Sequence, residues 1–222
     1  IELTEQLARS TFLDMFGDLC TNSKEWETVS FEDLIINGPQ NGLYRPLKDY
    51  GSGTPIIRID SFDELSIKNV EELKKVRLDN RLINKYKLNL RDILINRVNA
   101  ITHLGKSAVI LDLKETTVYE SNMMRISLNE KNANPVFIVA QLKDTWLKGQ
   151  IKQKSRDAVN QSSINQQDVK SIFFRLPPIE LQNKFESIYH QIQKNKTNLK
   201  LEMYCLDNLF NSLLQRAFKG EL

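Results

Sequence analysis

The sequence is short of cysteine, histidine and long apolar runs, and each shortage removes a class of function. Its two cysteines, Cys20 and Cys205, stand far apart and match no metal or redox spacing. A disulfide framework is thereby excluded, and a reducing, cytoplasmic setting is the expectation. Its two histidines, His103 and His190, belong to no HExxH pair and no His/Cys cluster, so neither a metal nor another cofactor is expected. No apolar run approaches the roughly 18 to 20 residues of a membrane span, and no signal peptide opens the chain. An opening at Ile1 rather than methionine suits a fragment or a trimmed form. The GxSxG nucleophile elbow and both glycine-rich nucleotide loops are absent. The Gly105-Lys106-Ser107 ending lacks the glycine five positions earlier that a phosphate loop requires. Leu176-Pro177-Pro178 shares a Pro-Pro with adenine methyltransferases, but not the acidic or Asn residue and the aromatic that complete such a site. No enzyme is expected.

What remains is a folded chain of 222 residues, 41% hydrophobic and 27% charged, with room for one large domain plus an extended element. The net charge of +3 is unevenly spread. Residues 1–25 carry −3 and residues 180–222 carry +1, which leaves +5 for the middle section, 26–179. That excess permits a polyanionic partner without requiring one.

Composition separates three sections. Residues 1–18 open with helix formers up to Phe16, and Gly17 is a plausible stop. Residues 19–178 are mixed α/β in character. Four of the eight glycines and three of the six prolines fall within 38–55, which reads as loops joining short strands. Ile56, Ile57 and Ile59 suggest a strand, Glu71–Asn84 is helix-permissive, and Ile93–Ile95 and Ala108–Leu111 read as buried strands. Val136–Leu147 reads as a helix and Val169–Leu176 as a strand. Residues 179–222 give the clearest pattern. Leu181, Phe185, Ile188, Ile192, Leu199, Met203, Leu206, Phe210, Leu213 and Ala217 follow three- and four-residue steps, as a coiled-coil helix requires. Asn195 occupies one seam position, suited to fixing register, and the steps from 195 to 203 form a stutter. Some 40 residues span about 60 Å, more than the central section covers, so a partner helix is expected. A short internal echo supports this: Ser10 to Phe16 then Gly17-Asp18-Leu19 parallels Ser212 to Phe218 then Gly220-Glu221-Leu222.

The side chains that read nucleic acid fall into three loop clusters. The first holds Gln40, Asn41, Tyr44, Arg45, Lys48 and Tyr50; the second Arg97, Asn99, Thr102, His103 and Lys106. The third holds Lys148, Lys152, Lys154, Arg156, Asn160, Gln161, Ser162 and Ser163. Asn and Gln bond adenine edges, Arg bonds guanine edges, and Lys holds phosphates. Arg45, Lys48, Arg97, Lys106, Lys154 and Arg156 are the candidates for phosphate or guanine. Gln40, Asn41, Asn160 and Gln161 are the candidates for base readout, with Tyr44 and His103 beside them.

Two stretches carry a resemblance to a known family: Leu176-Pro177-Pro178-Ile179-Glu180-Leu181-Gln182, which fits L-P-P-x-x-x-Q, and the helix end Leu209 to Leu222. On them nearly the whole chain resembles the DNA specificity subunit of type I restriction-modification systems. Asp92-Ile93-Leu94-Ile95, Gly105-Lys106 and Ala158 to Ile164 follow in the family's order, although Arg91 stands where glycine is usual. The resemblance implies a target recognition domain at 19–178, with a conserved spacer helix at 179–222. Residues 1–18 would then end a preceding helix of the same kind. It also implies a non-catalytic role, in which the domain reads half of a split double-stranded DNA site and paired helices set the half-site distance. Methyltransferase and restriction subunits would be partners, and the rod would pair with a second specificity half or a second copy of this chain. The alternative from the residues alone is a coiled-coil adaptor that binds protein and not DNA.

Overall fold

The computed structural model describes residues 2–61, 67, 72–158 and 161–220. Runs of β-branched and aliphatic residues build a central antiparallel sheet in the order β2 (Ile35–Asn41), β9 (Met123–Leu128), β5 (Ile93–Asn96), β7 (Ser107–Val109). β5, β7 and β9 are buried along nearly their whole length because both faces are covered there, whereas β2 is partly exposed. Ile93, Ile95, Met124 and Ile126 enter the main core, while Leu94, Ala108 and Met123 enter a second cluster with Ile57 and Tyr119. A smaller sheet joins β4 (Lys75–Val76), β3 (Tyr50–Ile57) and β8 (Val118–Tyr119). A third joins β6 (Val98–Asn99), β11 (Gln161–Ser163) and β10 (Arg156–Ala158), and β1 (Glu27–Ser30) pairs with β12 (Phe173–Leu176).

The opening helix α1 (Glu2–Phe16) ends where Gly17 adopts a left-handed φ of 73°. Three expectations need correction, each through local capping. The helix-permissive stretch before Asn84 supplies β4, and its helix, α3 (Asn80–Tyr86), starts only where Asp79 caps the Leu82 amide at 2.8 Å. The expected single helix at 136–147 divides into α4 (Pro135–Leu142) and α5 (Thr145–Lys154), because Asp144 caps the Trp146 amide and starts a new axis. The expected strand at 169–176 begins as α6 (Gln166–Lys170), nucleated by a reciprocal Asn165/Asp168 capping box; only β12 is extended. One short helix, α2 (Phe31–Leu34), completes the set among the described residues.

The last helix, α7 (Ile179–Phe218), runs 40 residues, about 60 Å at 1.5 Å per residue. Its first part is part of the domain. Phe185 lies 5.4 Å from Phe12 and 5.6 Å from Phe16, ring centre to ring centre, and Phe16 lies 4.6 Å from Phe137. One core is therefore shared by α1, the central section and the start of α7. The buried face is Gln182, Phe185, Tyr189 and Ile192, whereas Leu181 and Ile188 are half-buried. The helix is turned from the simple apolar seam because the Gln182 amide has internal partners. Its Oε1 accepts from the Asn134 amide at 2.8 Å, and its Nε2 donates to the carbonyls of Pro177 at 2.8 Å and Asn132 at 3.2 Å. Beyond Gln193 the covering ends. Leu199, Met203, Leu206, Phe210 and Leu213 are exposed, as is Asn195.

Candidate nucleic-acid interface

The strand register gathers the three polar clusters at one end of the central sheet. Asn41, the last residue of β2, faces Met124, and Asn96, the last of β5, faces Met123. Ser107, the first residue of β7, faces Ile95. The chain thus leaves β2 and β5, and enters β9 and β7, at the same edge. The connection 120–122 lies between the first two clusters. The Gly42 amide donates to Met123 O at 3.0 Å and Leu43 to Tyr119 O at 3.1 Å. On the other side the Arg97 amide donates to Asn122 O at 2.8 Å. Only glycine fits at 42, since a Cβ there would stand 2.2 Å from the Glu120 carbonyl oxygen. The third cluster joins through strand pairing, Ser162 opposite Asn99 and Ser163 opposite Val98, with the Ile164 amide bonded to Arg97 O at 2.9 Å.

Within this end the side chains differ in availability. Tyr44 is 78% exposed, and Asn41, Lys48, His103, Lys106 and Gln161 are exposed. Arg45 is half-buried and lies 3.6 Å from Asp49; Arg156, 67% exposed, lies 3.8 Å from Asp168. Both pairs sit at the surface with water within reach and at long separations, so exchanging the carboxylate for a phosphate costs little. Arg97 is half-buried and donates to Ser121 O at 3.2 Å, and Lys154 is half-buried at the end of α5. Asn160 lies outside the described residues.

Gln40 has a different task from the one its residue type suggested. Its Oε1 accepts from Arg125 Nη2 at 2.6 Å and from the Tyr119 hydroxyl at 3.2 Å, while its Nε2 donates to Lys85 O at 3.3 Å. Both halves of the amide have partners within the chain, and the oxygen serves a buried guanidinium that needs an acceptor. Arg125 completes the network by donating to Lys87 O at 2.7 Å. Burial pushes the Tyr119 hydroxyl well above the usual tyrosine range, so it stays a donor.

A cleft of about 430 Å³ opens beside the second cluster, between the loop at 102–107 and the α4–α5 junction. Among the described residues, Lys106, Lys143 and Lys148 line it with Thr102, Gly105 and Ser107, and no carboxylate does. Gly105, at φ 75°, lets the loop close over Ile151, whose side chain a Cβ would meet at 2.6 Å. Sequence reasoning missed Lys143 and the 120–122 connection, since neither lies in a polar cluster; only the pairing of distant strands brings them here. Among the described residues no group of three or more His, Cys, Asp or Glu is placed to hold a metal, and no helix is long and apolar enough to cross a membrane.

Fold and interface together define a mixed helix–sheet domain that presents polar loops at one sheet end and extends a long helix away from its core. Solved structures share this fold. The HsdS subunit from Thermoanaerobacter tengcongensis superposes with a TM-score of 0.57 at 19% identity, covering all of this chain and 52% of that one. The type I restriction-modification S subunit from M. genitalium gives 0.57 at 11% identity over 89% of this chain and 46% of that one.

The sequence relatives of this chain are type I restriction enzyme specificity subunits, as its motifs suggested. The putative MjaX specificity subunit of Methanocaldococcus jannaschii is 26% identical over 196 residues, 88% of this chain and 46% of that protein. The EcoKI specificity subunit of Escherichia coli is 24% identical over 203 residues, 89% of this chain and 43% of that one. The chain therefore spans under half the length of these relatives. No family model matches it.

Proposed function

We propose that this chain reads one half of a bipartite double-stranded DNA target for a type I restriction-modification complex. In this reading residues 19–178 are the target recognition domain, α7 is a spacer, and 1–18 end a second helix of the same kind. The observation that carries the reading is the convergence of the segments 41–50, 97–106 and 161–163 at one end of the central sheet. Lys48, Lys106, Arg45, Arg97, Lys154 and Arg156 serve phosphates or guanine edges. The cleft lined by Lys106 and Lys148, with Lys143 beside them, takes a backbone phosphate, which suits its lysine amines. Asn41 and Gln161 read bases, together with Asn160, and Tyr44 and His103 flank them. Gln40 supports this face from within and does not read it.

The rod serves the same function from a distance. DNA half-sites at a fixed separation require recognition units at a fixed separation. A rigid helix whose outer apolar stripe pairs with another helix supplies it, either from a second specificity half or from a second copy of this chain. Methylation and cleavage then belong to partner subunits, and this chain is not itself an enzyme.

Titration of random duplex at about 50 and 200 mM salt tests the reading. Binding should weaken steeply between the two. Alanine at Arg45, Lys48, Arg97, Lys106, Lys154 and Arg156 together should reduce affinity at least about tenfold and lower the salt slope by about one for each phosphate no longer held. Alanine at Lys170, whose amine pairs with Glu32 at 2.8 Å, serves as the control. Unchanged affinity in the six-site variant would sink the assignment of this face. Salt-insensitive or absent binding in the unaltered chain would favour a protein-binding adaptor.

A further inference from the structure

Arg91 is a bulky residue in a backbone conformation that favours glycine, with φ at 70°. That conformation costs a non-glycine residue roughly 1–2 kcal/mol. The turn that holds it is well tied: the Arg91 amide donates to Ile110 O at 2.8 Å, and the Asn89 amide to Asp92 Oδ2 at 2.8 Å. The turn aims the guanidinium at the start of the rod. Nη1 donates to Glu186 Oε1 at 2.7 Å and Nη2 to Glu186 Oε2 at 3.3 Å, a two-pronged grip on α7, while Nε pairs with Glu130. Asn134, the cap of α4, adds its own amide to Glu186 Oε2 at 2.5 Å and to Asn183 Oδ1 at 2.9 Å.

The remaining anchors lie on the neighbouring face of the helix. Phe185, Tyr189 and Ile192 enter the core, and Gln182 locks the first turn through its buried amide. Glu186 follows Phe185 by one residue, which turns it about 100° around the axis. Anchors along that one face, Gln182 included, resist withdrawal of the helix and leave a small tilt about the face open. A bidentate ion pair on the flank, fixed to the turn before β5, does not tolerate it. The lever is long. From Glu186 to Phe218 is about 48 Å, so a tilt of about 4° moves the far end by about 3.4 Å, the rise of one base pair.

We propose that Arg91 is a positioning residue: its grip on Glu186 fixes the angle between the recognition face and the rod, and so contributes to the half-site separation. The consequence for DNA rests on the function proposed above, whereas the clamp itself is testable without DNA.

The test is a distance distribution between spin labels at Asn84→Cys on α3 and Gln215→Cys near the rod's end. Cys20 and Cys205 are replaced by serine, and the labelled chain is diluted with unlabelled protein. Arg91→Gly removes the grip while relieving the left-handed backbone, and Glu186→Gln weakens it from the other side. Both should broaden or shift the distribution by about 3 Å or more relative to the parent, matching the lever motion above. Their melting temperatures should stay within a few degrees of the parent's. Arg91→Lys, which keeps the charge but not the fork, should fall between. Distributions identical to the parent's in both Arg91→Gly and Glu186→Gln would overturn the clamp, as would melting losses without any change in distance. Should Arg91→Gly fail to fold, Glu186→Gln decides by the same criterion. Loss of the DNA reading leaves these distances unaffected, so the two claims fail separately.

Discussion

Replacing Gln182 by leucine should destabilise the domain although it swaps a polar residue for an apolar one of similar size at a fully buried position. The native amide is saturated. It accepts from the buried Asn134 amide and donates both protons, to the Pro177 and Asn132 carbonyls. Leucine satisfies none of them. The Asn134 amide and the Pro177 carbonyl are buried, and each group left unpaired costs about 1–3 kcal/mol, together about 2–6. Burying leucine returns up to about 2 kcal/mol. With the middle of that range, about 4 kcal/mol, set against about 2 returned, the net loss is about 2 kcal/mol, a fall of roughly 4–8 °C in Tm for a chain of this size. Gln182→Glu should be worse, since a carboxylate would face two carbonyl oxygens. Urea unfolding followed by Trp26 and Trp146 fluorescence measures this, as both indoles sit where α1, β12 and α5 meet the core: Trp26 bonds Phe16 O at 2.9 Å, and Arg175 stacks 4.4 Å from the Trp146 ring centre. A Gln182→Leu variant within about 0.5 kcal/mol of the parent would refute the claim that this residue turns and locks the helix.

Two further outcomes follow from the rod and its root. Leu206→Asp with Phe210→Asp should abolish the helix pairing proposed above in sedimentation at micromolar concentration, because each loses about 1.5–3 kcal/mol of burial in each partner. The domain's Tm should not change, as both residues are exposed in the single chain; a falling Tm, or persistent pairing, contradicts this. Acid should weaken the root. Burial raises the Glu186 carboxyl, but hydrogen bonds from Arg91 and Asn134, the Arg91 charge and His190 outweigh it and hold the group below the usual carboxylate range. With the folded value depressed, its contribution is complete above the unfolded value of about 4.3 and disappears as pH falls through the folded one. The stability difference between the parent and Glu186→Gln should therefore shrink below about pH 4.5, and a difference constant down to pH 2 would count against this pairing.

The sequence by itself determined what is periodic or local. The rod is legible because a stripe recurring every three to four residues needs only the helix's own geometry, and its length alone says that its outer half lacks cover. The strand at 93–95 follows from an apolar run and the one expected at 108–111 forms at 107–109, whereas the glycines and prolines of 38–55 mark only the connection 42–49, since their flanks belong to β2 and β3. Tertiary structure decided what depends on residues far apart in the chain. The pairing of Asn99 with Ser162 has no signature in either segment, yet it joins two of the three polar clusters. Gln40 reads as a surface amide until Arg125, 85 residues away, claims it. Arg91 departs from a glycine position for a reason visible only when Glu186, 95 residues on, lies beside it. Buried polar groups must find partners wherever the fold brings them, and no period in the sequence records that requirement.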